Sequence, residues 1–586
     1  MHASPSDPIG RRICLLLAFA AGIAAPANGD EPRSVLAIVG VHVVPMDAPR
    51  VLEDHTVIVT EGRITALGPA EEVVVPDDAR VVAGHGRYLM PGLADMHVHL
   101  RRGSDEYLNY VRHGVTAVMH LGGSEAHGAR ILEDRRQIDA GEMLGPNIYA
   151  TQRIFDGDPP LATNSYRLTT PEAARRRTAE LKVAGFDFIK VYNNVSLPVY
   201  RAILAEAARQ DMAVVGHIPR GFDPLIALEG HKAVVHTEEF FFTYFRGPRS
   251  TEDMDRGYRP DLSLIPRLLE VLLEGDVAVI PNLSFVFTNF LMWDGLDNVW
   301  MNPELRFQHP ATVGAWRAGN INRRKEIENF IFREQIKAGL MQELTRRFQQ
   351  AGVLQLLGTD SALPGLFPGE SAHRELTELV KAGLSNWDAL SIGTRNAGEF
   401  VHEHIDDEER FGRIEPGYRA DLLLVEGDPL EDVRHARRIT AVAVRGRWIE
   451  RSELDRRRSA LADRYQILYD LSEQVDAALG QEDAAAVVAE ILAAHGKDLE
   501  VASTIEDRLN SAGYGAAMGG DLKRAAFILR LATELFPESA NTWDSLAELN
   551  LYQENRDAAI EYYRKALEVD PGFTNAAQQL QKLLEE

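Results

Sequence analysis

LADMHVH, residues 93–99, decides how the rest of the chain is read. It is a short apolar run that ends in two histidines one residue apart. Alternate residues of a strand face the same side, so His97 and His99 can present both imidazoles to one point. Seven further apolar runs of strand length follow: TAVMHLG (116–122), NIYATQR (147–153), DFIKVY (187–192), AVVGHI (213–218), AVVHTE (233–238), AVIPNL (278–283) and LQLLGTD (354–360). Helical stretches separate most of them. In PEAARRRTAELKVAG (171–185), Pro171 sits just inside the start and Gly185 just past the end. Eight strand–helix units over roughly 310 residues predict an α/β fold, a (β/α)8 TIM barrel over 90–404. The long stretch between the seventh and eighth strands carries FVFTNFLMWDGLDNVW (285–300) and a charged helix near 318–350. It is expected as an insertion over the barrel mouth.

On either side of the barrel the pattern turns to strands. SVLAIVGVHVV, HTVIVTEGRITALG and ARVVAGHGRYLM precede it; GRIEPGYRADLLLVEG and ITAVAVRGRWIE follow it. Segments 30–89 and 405–452 are therefore expected to join in one flanking composite β-domain. Residues 453–586 read as helical and contain a repeat. Gly513, Ala525, Ala532 and Pro537 recur 34 residues later as Ala547, Ala559, Ala566 and Pro571; Leu509 becomes Trp543 and Leu529 becomes Tyr563. That period, with small residues at helix contacts, resembles the tetratricopeptide repeat (TPR), with a capping helix from Thr574. An ordinary helical bundle is the alternative. Such an all-α, TPR-like domain can hold a protein partner or a second copy of the chain.

The chain has 586 residues, enough for two to four domains. Lys plus Arg number 63 and Asp plus Glu 87, a net charge of −24. That acid excess argues against a nucleic-acid partner, which needs a basic surface. The single cysteine, Cys14, excludes an intrachain disulfide and a cysteine zinc finger, so any metal has His, Asp, Glu or lysine-derived ligands. Residues 11–27, RRICLLLAFAAGIAAPA, run from arginines through an apolar core to small residues. This order predicts a signal peptide over 1–29 and a periplasmic or secreted protein, a short membrane anchor being the alternative. No other segment reaches the roughly 18 apolar residues of a membrane span.

The chemistry gathers at strand ends. His217 ends strand five, His236 strand six, and Asp360 strand eight in GTDS. Barrel active sites are built there, so these three with His97 and His99 point to a metal site. Lys190 ends strand four. Paired with a carboxylate it would be structural. Facing two cations, its amine loses its proton more easily and can react with CO2. The resulting carbamate is an anionic ligand able to bridge two metals.

LMPGLADMHVHL (89–100), the strand-four lysine, the two later histidines and GTDS resemble the amidohydrolase superfamily. So do ELTELVKAGLSNWDAL (375–390), GTRNAGEF (393–400) and GRIEPGYRADLLLVEGDPL (412–430). The resemblance spans roughly 35–450 and is closest, through IKVY and GHIP, to the exported dipeptidase, prolidase, imidazolonepropionase and ochratoxin-amidase branch. It implies a barrel with one or two divalent metals, usually Zn2+, though the ligands also suit manganese, cobalt or iron. It implies that His97, His99 and Asp360 hold the first metal and His217 and His236 the second. N6-carboxylysine at Lys190 and a hydroxide would bridge them. One-metal deaminases of the superfamily typically carry a glutamate three residues after the strand-five histidine and lack the strand-four lysine. Here that position is Arg220, which favours a two-metal hydrolase.

The implied mechanism has the bridging hydroxide attack a carbonyl while Asp360 carries its proton to the leaving amine. Tyr192 is placed to donate to the developing oxyanion, or else only packs. Arg220 is a candidate for a substrate carboxylate, with a structural salt bridge as the alternative. His120, where relatives usually carry an Arg-Asp pair, is a second substrate candidate, and His373 is expected to be structural. Phe285, Phe287, Phe290 and Trp293 would form a lid or hydrophobic pocket, or pack against the helical tail. The expected reaction is hydrolysis of an amide in a dipeptide or N-acyl amino acid, a small-molecule or short-peptide substrate. A lactonase or esterase on the same site, and an inert barrel serving a helical interaction domain, are the alternatives.

Overall fold

Branched apolar residues at alternate positions pair early strands with late ones. The computed structural model describes residues 35–161, 165–250, 255–293, 297–318, 327–495 and 498–585. The expected signal peptide with Cys14, and 319–326 of the expected charged helix, lie outside the described residues. Five strands come first: β1 (Leu36–Val43), β2 (Leu52–Thr60), β3 (Arg63–Pro69), β4 (Arg80–Ala83) and β5 (Tyr88–Pro91). The central region holds β6 (Leu93–Val98), β7 (Val115–Leu121), β8 (Asn147–Thr151), β9 (Ile154–Asp156), β10 (Ser165–Arg167), β11 (Phe188–Val191), β12 (Ala213–Gly216), β13 (Ala233–Val235) and β14 (Ala278–Ile280). Last come β15 (Leu422–Val425), β16 (Ile439–Val444) and β17 (Arg447–Glu450).

One eight-stranded sheet has the order β17-β16-β15-β5-β1-β2-β3, with β4 on β1. Its seam is β15 antiparallel to β5, with Leu422 opposite Pro91 and Val425 opposite Tyr88. Ile38, Val57, Val59, Leu422 and Leu424 share its buried face.

The central strands run parallel in two sheets, β6-β7-β8 and β10-β9-β11-β12-β13-β14. Met96, Met119, Phe188, Val215, Val235 and Ile280 from both sheets meet Leu356 in one buried cluster. Their strand neighbours Val118, Ile189, Val214, Val234 and Val279 face the other way, into a second core that also takes in helices. The strand period of two thus builds a core on each face.

The expected eighth strand is corrected. Residues 354–360 form no ladder; single bridges join Gln355 to Val279 and Ser361 to Val98. Leu356 N donates to Val279 O at 3.0 Å, Met96 N to Leu357 O at 2.7 Å and Asp360 N to His97 O at 2.7 Å. The segment therefore hydrogen-bonds to both β14 and β6 without continuing either sheet. Gly358 explains part of this: a Cβ there would lie 2.3 Å from Ile280 Cγ2 and 2.8 Å from His97 Cβ. A backbone that must come this close loses regular pairing. Strands β9 and β10, between the third and fourth expected strands, were not anticipated; three-residue strands are too short to show a period.

The helix Pro171–Ala184 starts on the Thr170 side chain, which accepts from Ala173 N, and ends on left-handed Gly185. The insertion forms helices Leu283–Trp293, Asp297–Trp300, Pro310–Ala318 and Ile327–Ala351. Beyond Arg451 the described chain is helical. A 28-residue helix, Arg451–Ala478, comes first, and later helices include Leu499–Met518, Leu522–Leu535, Ala540–Tyr552, Arg556–Val569 and Thr574–Glu585. Ala525, Ala532, Ala559 and Ala566 of the repeat are fully buried. A Cβ on Gly513 would lie 2.6 Å from Leu529 Cγ, so the small residues mark close helix contacts. No described helix is long and apolar enough to cross a membrane.

The first tail helix packs on the helix Ser104–Arg112 and on the insertion. Arg458 is buried, pairs with Glu304, donates to Asn109 Oδ1 at 2.8 Å and lies 3.5 Å from the Phe307 ring centroid. Tyr465 OH donates to Asp105 Oδ2 at 2.8 Å and Tyr469 OH to Gln308 O at 3.1 Å.

Candidate metal centre

Three histidines of the centre are held by their Nδ1, while His236 Nδ1 is buried without a hydrogen-bond partner. His97 Nδ1 lies 3.1 Å from Asn282 Oδ1, and His99 Nδ1 lies 2.8 Å from Gly122 O. His217 Nδ1 lies 3.0 Å from Asn193 Oδ1 and 3.2 Å from Glu239 Oε1. These oxygens accept, so Nδ1 carries the proton and Nε2 keeps its lone pair. Nε2 of His97 and Nε2 of His99 are each 3.3 Å from Asp360 Oδ1; His236 Nε2 is 3.4 Å from Asp360 Oδ2. The His236 ring lies 4.7 Å from that of His97 and 5.1 Å from that of His217, centroid to centroid.

Local backbone geometry brings these groups together. Phe188 and Val215 face the inner core, so Lys190 and His217, two residues on, continue that face. Gly216 lets β12 approach β11: a Cβ there would lie 2.2 Å from Val191 O. The His217 ring then lies tilted against Tyr192, with centroids 4.1 Å apart and an interplanar angle of 34°. His236 and Asp360 adopt φ of 69° and 65°, in the left-handed region where non-glycine residues are rare. Such backbone is held only where the surroundings over-determine it, as at binding sites.

Burial pushes His97 and His217 far below the ordinary imidazole range, and the Lys190 charge adds to this. Burial also pushes His236 down to about 3, against the pull of Asp360. All three rings are neutral near pH 7, as metal ligands must be. Burial lowers Lys190 to about 8, opposed by Asp360 and Glu239. Burial, then Asp360 and Glu239, push the Tyr192 phenol up.

The donors suit a cation. His97 Nε2 and Asp360 Oδ1 are buried without a hydrogen-bond partner. Ligand atoms of His97, His99 and Asp360 all lie within 4.8 Å of one another. Imidazole nitrogens with a carboxylate oxygen fit zinc and its first-row neighbours. Around His217 and His236 no third His, Cys, Asp or Glu completes such a group among the described residues. A similar group at Asp276, Glu403 and His404 is mostly exposed.

The weaker candidates are also located. Arg220 donates to Glu239 Oε1 at 3.0 Å, an internal ion pair. His120 is buried, accepts from Leu100 N at 3.0 Å and lies 6.2 Å from the His99 ring centroid. Phe285 lies 5.7 Å from the His236 ring centroid; the side chains of Phe290 and Trp293 lie outside the described residues. His373 Nε2 donates to His113 O at 2.8 Å, away from the centre.

Four residues escaped sequence reasoning: Asp95, Asn193, Glu239 and Asn282. Asp95 accepts from Thr359 N at 3.0 Å and Thr359 Oγ1 at 2.6 Å, and so ties the HVH strand to the GTDS segment. Burial pushes it up to about 8. The available signal was position: each lies within three residues of a candidate ligand or at a strand end.

No family model matches the chain. An adenine deaminase of Ruegeria pomeroyi is 26% identical over 161 residues, 27% of this chain and 26% of that protein. The chain spans about a quarter or less of the length of the curated relatives it matches. A solved protein of Bifidobacterium longum, provisionally described as a prolidase, superposes with a TM-score of 0.54 at 24% identity, covering 74% of this chain and 99% of that one. A bottromycin amidohydrolase superposes at 0.57 with 22% identity, covering 74% and 91%. The likeness is one of fold: a mixed α/β protein like these amidohydrolase-type neighbours, with a helical C-terminal region.

Proposed function

We propose that this chain is a two-metal amidohydrolase that cleaves an amide C–N bond in dipeptides or N-acyl amino acids. The observation that carries the reading is the convergence of four histidines and Asp360, beside buried Lys190, with His97 Nε2 and Asp360 Oδ1 left without a hydrogen-bond partner. The fold likeness supports it. The deaminase relative is weighed against Arg220, which stands three residues after His217 and is engaged by Glu239.

His97, His99 and Asp360 would hold one divalent cation, zinc by default, and His217 and His236 the other. Lys190, as its carbamate, would be the shared third donor that the second group lacks. Carbamate formation joins neutral Nζ to the carbon of CO2 and releases one proton. An amine pushed down to about 8 is partly neutral at physiological pH, which suits that step. Bound there, two cations would polarise the scissile carbonyl and lower the pKa of a water at the site. Asp360 takes the proton of the attacking water and delivers it to the leaving nitrogen. Tyr192, held against His217, donates to the oxygen that gains charge. Arg220 is engaged within the protein, so substrate recognition falls more to His120 and Phe285.

The same reading includes removal of 1–29 on export to the periplasm or medium. It also treats the tail as TPR-type repeats that hold a partner or a second copy. The test is hydrolysis of a dipeptide and N-acyl-amino-acid library by zinc-loaded mature protein, with Lys190→Ala as control. Turnover that vanishes in the control is expected. Undiminished turnover in Lys190→Ala would overturn the two-metal mechanism; turnover of lactones or esters alone would replace the substrate class.

A further inference from the structure

His217 differs from the other histidines of the centre in what holds it. His97 faces a neutral amide and His99 a backbone carbonyl, whereas His217 also faces a carboxylate. Glu239 is 2% exposed and sits three residues after His236. Its Oε1 lies 3.2 Å from His217 Nδ1 and accepts from Arg220 at 3.0 Å. Its Oε2 accepts from Asn193 Nδ2 at 2.7 Å. Asn193 Nδ2 also donates to Ile218 O at 3.2 Å, which fixes the amide with Oδ1 turned to His217 Nδ1. Both neighbours of that nitrogen are therefore acceptors, and only an Nδ1–H satisfies them.

We infer that Glu239 positions His217 for the second metal, selecting the tautomer with Nε2 free and raising the basicity of that nitrogen. This rests on the two-metal reading above. The geometry follows from three adjacent strand ends. Asn193 comes after β11, His217 after β12 and Glu239 after β13, so one carboxylate links all three. A carboxylate this deeply buried needs a counter-charge, and Arg220 supplies it. Arg220 thereby has a role in the centre without touching substrate.

A metal-binding measurement tests this apart from turnover. Full-length wild type, Glu239→Gln and Glu239→Asp are titrated with Zn2+ against a competing chelator, with circular dichroism to confirm folding. Wild type is expected to bind two ions. Glu239→Gln is expected to keep one at wild-type affinity and bind the other about 10–100-fold more weakly, the usual loss when a ligand's outer partner is removed. If Glu239→Gln fails to fold, Glu239→Asp carries the same expectation, because its shorter arm withdraws the carboxylate from Nδ1. Two ions at wild-type affinity in a folded variant overturn the proposal, and so does an equal loss of both, which marks general damage. A wild type that binds fewer than two ions overturns the two-metal reading itself.

Discussion

At the scale of single residues, three buried histidines that are not candidate ligands give the protein a pH dependence of its own. His231 is pushed down to about 4 and His309 and His373 to about 3, in each case first by burial. Their folded values lie below the ordinary 6.5, so the unfolded chain takes up protons first as the medium acidifies. The stability they permit is complete above about pH 6.5 and lost progressively below it. The unfolding temperature of apo protein should fall from pH 7 to pH 5, less steeply in His373→Asn; a profile flat over that range would refute the assignment. Asp360→Asn should keep its metal and lose about 10²–10⁴-fold in turnover, the usual weight of acid–base help. Equal turnover in a metal-replete variant would remove Asp360 from proton transfer. The candidate ligands were legible because each closes an apolar run. Their supports, Asn193, Asn282 and Glu239, were not: a hydrogen bond between neighbouring strand ends leaves no period in the sequence.

At the scale of elements, seven central strands were legible because Val, Ile and Ala cluster in short runs. The eighth run, LQLLGTD, is as apolar as the others, yet close approach at Gly358 and the left-handed turn at Asp360 break its pairing. No apolar pattern encodes that distinction. Gly358→Val forces a side chain into the space of Ile280 and His97. Overpacking of this kind costs about 1–3 kcal/mol. Thermal unfolding should move down, and bound zinc should drop with it, because His97 must shift. A variant with wild-type zinc content and melting would show that the segment has room to give. The two chain halves of the flanking sheet read as strands separately, and their seam at β5 and β15 is a long-range pairing.

At the scale of the whole molecule, the tail is bound to the central α/β region by buried charge. Arg458 satisfies Glu304 and Asn109 and covers Phe307, while Glu304 also meets His113 at 3.2 Å. Removing one partner of a buried pair costs about 3–5 kcal/mol. Arg458→Ala should therefore lower the unfolding temperature and speed proteolysis between 299 and 318. Deletion of 453–586 should give an aggregating α/β core, because Phe307 and the face of Ser104–Arg112 lose their cover. A monomeric, fully active truncation in size-exclusion chromatography would instead make the tail a separable appendage. The repeat was legible in the recurrence of small residues. Its first helix, Arg451–Ala478, carries no repeat, and so its grip on the α/β region had no sequence signature. The flanking sheet also sets a timetable for biosynthesis. Strand β5 ends at Pro91 and its neighbour β15 begins at Leu422. At about 5–20 residues per second, translation leaves that edge without its neighbour for roughly a quarter of a minute to a minute. An open edge recruits other strands, so the nascent chain is exposed to wrong pairing there until its own late strand emerges.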